Sequence, residues 1–231
     1  MTEEDRAGGR VVRYGEHPAQ YGELTMPSGE PRGLVVVVHG GFWKKRYGIE
    51  YARPLVPSLV EDGWAAWAIE YRRSGAADTL ADVDAALLAA PVSAQVVVGL
   101  GHSAGGHLVA WAAGRGRFTH VVSQAGVLDL RAAYDAGLGD GAVEAFLGHP
   151  PGPADDAVDP IRQVPLEVPV WCVHGRQDSV VPPSQSRDYV TAARASGGAA
   201  ELVELEGDHF ELIDPDSAAW RRQRELLAAL A

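Results

Sequence analysis

Gln95–Gly114 reads QVVVGLGHSAGGHLVAWAAG, and its character changes twice along its length. Val96-Val97-Val98 is β-branched and apolar, suited to a buried strand. Glycines 99, 101, 105 and 106 then surround Ser103, and from His107 to Ala113 the residues are alanine-rich and helix-forming. Strand, tight turn and helix follow in that order, and Gly101-His102-Ser103-Ala104-Gly105 at the centre fits G-x-S-x-G. Glycines two residues either side of the serine let the backbone turn sharply and hold the hydroxyl up at the edge of a sheet. The N–H of Ala104 then falls at a helix N-terminus, where partial positive charge stabilises an oxyanion. A bare match to the pentapeptide also occurs in ordinary turns; the β-branched residues before it and the alanines after it favour a catalytic elbow.

Outward from the elbow, strands alternate with helices. Leu34–Val38 is a run of five apolar residues, four of them valine, too short for a helix and too apolar for a half-exposed strand, so an interior strand covered on both faces is expected. Residues 64–71, 119–123, 168–173 and 200–205 read as further strands, and 11–14 with 22–26 as a weak hairpin at the sheet edge. Helices are expected over 51–61, where Pro54 and Pro57 limit the start, and over 81–90, 107–113, 183–196 and 216–230. The alternation implies a mainly parallel sheet with helices on both faces. Residues 1–9 read as a loose polar tail and 10–231 as one domain. Residues 135–165, rich in Gly, Pro and Asp, are the least regular stretch and are expected to roof the site.

Composition narrows the function. The chain has 231 residues and a formal charge of −11, from 20 Lys and Arg against 31 Asp and Glu, which argues against nucleic-acid and anionic-membrane partners. Cys172 is the single cysteine, so no intrachain disulfide, redox pair or cysteine-based metal site is available, and its apolar neighbours mark a buried strand. The N-terminus has no basic start followed by an apolar core, and no run approaches the ~20 apolar residues that span a bilayer; a cytoplasmic protein is expected.

In an open parallel sheet the site lies beyond the carboxyl ends of the strands. Four stretches stand there: His39-Gly40-Gly41-Phe42-Trp43, Ser103, Asp178 and His209. A serine hydroxyl needs a base, and histidine, with an ordinary pKa near ~6.5, is suited to the task. An imidazole that takes a proton needs an anion behind it. Asp178, in the polar turn VHGRQDSVVP, and His209, in EGDHF just past the last strand, complete the order serine, acid, histidine. Asp129, which follows the strand after the elbow, is the rival acid. Asp208 is expected to brace its loop and Asp214 to cap a helix. His39, His102 and His107 read as structural; His17, His120, His149 and His174 have no partner that the sequence identifies. Gly40-Gly41 reads as a strand-end turn or as half of an oxyanion hole that presents the N–H groups of Gly41 and Phe42. Phe42 and Trp43 are pocket walls or core. Lys44, Lys45 and Arg46 form a solvated basic turn or an attractor for a substrate carboxylate.

Together HGGFW, GHSAGGH, HGRQDSVVP and DHFELI resemble the α/β-hydrolase superfamily, and H-G-G-x-W with the H-F-E-L ending is similar to the kynurenine formamidase (arylformamidase) and small carboxylesterase group. The likeness runs from about Leu34 to Ile213. It implies an α/β-hydrolase fold with little or no cap domain, Ser103 as nucleophile, His209 as base, Asp178 as acid, Gly41, Phe42 and Ala104 as oxyanion donors, Trp43 at the substrate, and neither metal nor organic cofactor. Phe42 stands where hormone-sensitive-lipase relatives have a third glycine, which counts against a lipase. The implied reaction is acyl transfer from a small-molecule carboxylic ester or aryl formamide through an acyl-enzyme. Two other classes were weighed: a ligand-binding protein that keeps the fold without the chemistry, although no triad member is missing, and a prolyl-oligopeptidase-type peptidase, which the chain resembles around Ser103 and Asp178 but whose large gating domain 231 residues cannot hold.

Overall fold

The computed structural model describes residues 9–230; all of the expected N-terminal tail except Gly9 lies outside them. Strand β3 (Leu34–Val38) is buried along its whole length. Its neighbours on either side, β4 (Ala65–Ile69) and β5 (Val97–His102), are both parallel to it. From β5 the sheet continues in parallel through β6 (His120–Gln124), β7 (Val170–Gly175) and β8 (Ala200–Leu205). Beyond β4 lie β2 (Tyr21–Thr25) and β1 (Arg10–Arg13), paired antiparallel as the hairpin expected at the edge. The eight strands run β1-β2-β4-β3-β5-β6-β7-β8, which is the α/β-hydrolase fold.

The two-residue period of a strand divides the core into two layers. Val36 and Val38 point to one face, with Trp67, Ile69, Leu108 and Trp111; Val35 and Val37 point to the other, with Leu59, Trp64, Leu100 and Trp220. A valine or leucine moved wholly out of water contributes ~1.5–3 kcal/mol, so a strand apolar on both faces is stable only between two covering layers. Helices α2 (Ala76–Leu88), α3 (Ala104–Ala113) and α6 (Ser184–Ala195) contribute buried residues to the first layer. Helices α1 (Val56–Glu61) and α7 (Ala218–Ala228) contribute to the second.

Several boundaries differ from those expected. The helix expected over 51–61 is α1 preceded by two short 3-10 turns, Ile49–Tyr51 and Arg53–Leu55, because prolines at 54 and 57 withhold the N–H groups that a continuous helix would use. Helix α2 starts five residues before the expected position, directly after Gly75 at φ 111°. The last helix is capped by Ser217, whose hydroxyl accepts from Trp220 N–H, and not by Asp214. Residues 125–169, between β6 and β7, hold α4 (Leu130–Asp135), α5 (Ala142–Leu147) and two 3-10 turns. They pack onto the first layer through Val143 and Phe146 and make no separate cap domain. Cys172 lies in β7, fully buried, with its thiol pushed up to about 12 by that burial. Among the described residues no helix is long and apolar enough to cross a membrane.

Candidate active site

Strand β5 delivers Ser103 with φ 56° and ψ −119°, a conformation that costs a non-glycine residue about 1–3 kcal/mol and is kept only where the surroundings enforce it. Ser103 N–H donates to Gln124 C=O at 2.8 Å, and its carbonyl accepts from His107 N–H at 3.2 Å and Val127 N–H at 3.3 Å. The glycine requirement at 101 and 105 is steric. A Cβ on Gly101 would run into the Gly105 carbonyl, and one on Gly105 into the carbonyls of Val38 and His39. The elbow thus presses against the end of β3, where the second half of the site begins. Ala104 opens α3, and a helix leaves the N–H of its first residue without an internal acceptor.

After β3, Lys44 N–H donates to Gly41 C=O at 2.9 Å and closes a tight turn. Gly41 has φ 108°, Phe42 51° and Trp43 54°; positive φ at both central positions is the I′ sense, which usually selects Asn or Gly. Two bulky aromatic residues held there cost about 1–2 kcal/mol each. The N–H groups of Gly41 and Phe42 donate to no acceptor among the described residues. His39 braces the turn from below: Nδ1 lies 2.8 Å from Gly40 O and Nε2 3.1 Å from Glu70 Oε1, while the ring stacks on Tyr71 at 4.4 Å. Glu70 also accepts from Ile49 and Tyr71 N–H and pairs with Arg73. Burial works against its charge, yet the His39 contact and Arg73 bring the carboxyl down to about 2.

His209 follows β8 and is nearly buried, at 3% exposure. Its Nδ1 lies 2.6 Å from Asp178 Oδ2. The backbone of His209 is fixed by His102: the Nε2–H of that ring donates to His209 C=O at 2.9 Å, and the two rings lie 4.4 Å apart. Burial, then the neighbouring His209, lowers His102 to about 3, so it stays a neutral donor. Gln124 donates to Leu212 C=O at 3.0 Å and to Gln223 at 2.7 Å, steadying the turn beyond His209. Asp208 accepts from the N–H groups of Phe210 and Glu211 and so braces the loop as expected.

Asp178 is held from every side. Oδ1 accepts from Val180 N–H at 2.8 Å and Val181 N–H at 2.9 Å; Oδ2 faces His209 and, at 3.2 Å, His174 Nε2. Burial alone would raise this carboxyl, but the hydrogen bonds from His174 and His209 hold it well below the ordinary carboxylate range. The rival acid is elsewhere: Asp129 Oδ1 accepts from Ala132 N–H at 2.9 Å and caps α4. His174 is the residue that sequence reasoning missed. Its Nε2 also lies 2.9 Å from Val181 O, and its Nδ1 2.7 Å from Ser186 Oγ. A histidine four residues before the acid, at the very end of a buried strand, was the available signal.

These elements line one small recess that opens to solvent. Ser103, His102 and His209 line it together with Gly40, Gly41 and Phe42, and Tyr47, Tyr51 and Phe210 form its aromatic rim. Trp43, expected at the substrate, is not among the lining residues. It is 5% exposed and packed in the core, stacked on Phe146 at 4.4 Å and edge-on to His107 at 5.1 Å; left-handed φ at Trp43 turns its indole inward. The 135–165 stretch contributes no lining residue either, so it does not roof the recess. Of the basic turn, Lys44 Nζ lies 4.0 Å from Asp140 Oδ2 and the Arg46 guanidinium sits over the Tyr47 ring at 4.8 Å; none of the three cations lines the recess. Among the described residues no cluster of His, Cys, Asp and Glu could hold a metal ion.

Comparison with curated protein sequences gave no match. Among solved structures, a truncated carbohydrate esterase from gut microbiota superposes with TM-score 0.82 at 17% identity, covering 95% of this chain and 94% of that one. Esterase 2 of Thermogutta terrifontis with bound propionate has TM-score 0.76 at 25% identity, covering 96% and 93%. An acetyl ester-xyloside bifunctional hydrolase from Caldicellulosiruptor lactoaceticus has TM-score 0.78 at 19% identity, covering 96% and 94%. The model of the prolyl oligopeptidase family matches residues 64–228, a span that carries the elbow, Asp178 and His209. The matched span contains no additional gating domain. The chain belongs to the prolyl oligopeptidase family.

Proposed function

We propose that this protein is a serine hydrolase that cleaves a small carboxylic ester through an acyl-enzyme. The observation that carries the reading is the meeting of Ser103 and His209 at one recess, with Asp178 Oδ2 2.6 Å behind His209 Nδ1. Ser103 Oγ attacks the carbonyl carbon while His209 Nε2 takes its proton, and the negative oxygen of the tetrahedral intermediate is met by the N–H groups of Gly41, Phe42 and Ala104. His209 returns the proton to the leaving alcohol as the carbon–oxygen bond breaks. Water, deprotonated by His209, then attacks the acyl-enzyme and frees the acid. Asp178 stays ionised throughout and holds His209 with its proton on Nδ1.

A small recess with an aromatic rim suits a short acyl group and an apolar or ring-bearing leaving group. A carbohydrate esterase, an acetyl ester-xyloside bifunctional hydrolase and an esterase with bound propionate share the fold, which supports the short-acyl reading. An aryl formamide, whose acyl group is smaller still, belongs to the same reading, by the likeness of HGGFW and HFEL to formamidases. Family membership favours a second one, a peptidase. A panel of p-nitrophenyl esters graded by acyl length, N-formylkynurenine and a prolyl p-nitroanilide separates them. Turnover that peaks at acetyl to butyryl esters is expected. Cleavage of the anilide alone would replace the ester reading with the peptidase one, and no turnover of any of them would favour a binding protein.

A further inference from the structure

We propose that the Gly139–Phe146 segment, which never reaches the recess, positions the oxyanion donors, with Phe146 and Gly139 as its positioning residues. This rests on the serine hydrolase reading above. The turn that presents Gly41 and Phe42 N–H has two consecutive aromatic residues at positive φ, a conformation that neither side chain favours. Besides the His39 brace beneath the turn, three successive side chains meet one segment from outside it. The Phe42 ring lies on Gly139: a Cβ there would come within 2.7 Å of Phe42 Cδ1, and Gly139 itself has φ 61°. The Trp43 indole stacks on Phe146 at 4.4 Å with 19° between the planes. Lys44 faces Asp140. All three partners come from one short stretch of the β6–β7 connection.

The same cluster reaches the other donor. His107 stands edge-on to both Trp43 and Phe146, at 5.1 and 5.5 Å, and belongs to α3, whose first residue is Ala104. Its Nε2–H donates to Val158 C=O at 2.8 Å, tying the helix to the same connection. Burial lowers His107 to about 4, so the ring stays neutral and the cluster does not open by titration in the neutral range. Two N–H groups on one element and one on another stabilise a single oxygen only if the elements keep their relative position. The ring cluster of Trp43, His107 and Phe146 adds a packed contact between them to the direct one that the elbow makes with the end of β3.

The test is kinetic. In Phe146→Ala and Gly139→Ala, kcat for a short p-nitrophenyl ester is expected to fall 10- to 100-fold with KM within threefold, because the oxyanion develops after binding. Phe146→Leu should recover part of the loss. The rate at which an organophosphonate modifies Ser103 should fall in parallel, since its tetrahedral adduct places an oxygen among the same donors. Leu59→Ala, in the opposite core layer, serves as a control that lowers the melting temperature and leaves kcat within twofold. Folded Phe146→Ala and Gly139→Ala proteins with wild-type kcat would overturn the proposal, as would a loss confined to KM or a kcat loss in Leu59→Ala of the same size. A wild-type protein neither active on esters nor modified at Ser103 would overturn the site reading itself, and the proposal with it.

Discussion

Asp178→Asn is the substitution for which the structure allows a worked outcome. Oδ1 accepts two backbone N–H groups, from Val180 and Val181, so in the variant the amide oxygen must take that place. The NH2 group then occupies the position of Oδ2, facing His209 Nδ1 and His174 Nε2. A donor there forces His209 to carry its proton on Nε2, the nitrogen that must accept the serine proton. The expected loss is ~10⁴ in kcat, about 5 kcal/mol of barrier, with KM little changed. His174 meets the same conflict. To avoid two opposed donors its Nε2 must lose its proton, and Val181 C=O, now 2.9 Å from that proton's nitrogen, is left without a partner, at a cost of ~1–3 kcal/mol in stability. The pH dependence follows by sign. A carboxyl held below its unfolded value contributes stability above that value and loses it as pH falls through the folded one, so the wild-type advantage in melting temperature should be full at neutral pH and shrink toward strong acid. The assays are steady-state ester hydrolysis and thermal melts from pH 3 to 8. Activity within tenfold of wild type would refute the reasoning, because among the described residues no other carboxylate pairs with His209.

Two further outcomes are expected. Asp129→Ala should leave kcat within about twofold and lower stability by ~1 kcal/mol, since Asp129 is the cap of α4; a melt and the same ester assay check both. Asp159 is buried, with Oδ1 accepting from Leu130 N–H and Oδ2 without a hydrogen bond, 3.8 Å from Arg162 Nε, and burial raises its carboxyl to about 6. The folded state therefore binds the proton more tightly than the unfolded chain, and the charged form opposes folding by up to ~3 kcal/mol above pH 6. Asp159→Asn should raise stability at pH 7 and give no gain below about pH 4, as read from denaturant unfolding at the two pH values.

What the sequence made legible was whatever local chemistry dictates. Four valines in a row after Leu34 can only be a strand covered on both faces, and Gly101 is demanded by the backbone of Gly105, four residues on, while Gly105 itself answers to the distant carbonyls of Val38 and His39. The candidate triad was legible for a related reason: each member stands just past a strand end, where a parallel sheet collects its functional groups. Trp43 lies in the core and not at the substrate, and nothing in the pentapeptide HGGFW reveals that α5, in the β6–β7 connection, supplies Phe146 to receive it. His174 was passed over because its partners are Ser186, twelve residues on, and a carboxylate already assigned to His209. The 51–61 helix broke into turns at prolines that were visible beforehand, whereas the role of 139–146 depends on contacts made across about a hundred residues of chain.

The most direct test of the account is covalent. An organophosphonate carrying a good leaving group should modify the wild-type protein once, with the mass increment on the peptide that contains Ser103, and abolish ester turnover in proportion to the modification. Ser103→Ala should take up no label and show no turnover above background. Modification of another residue with loss of activity, or undiminished turnover by Ser103→Ala, would contradict the assignment of Ser103 as the nucleophile.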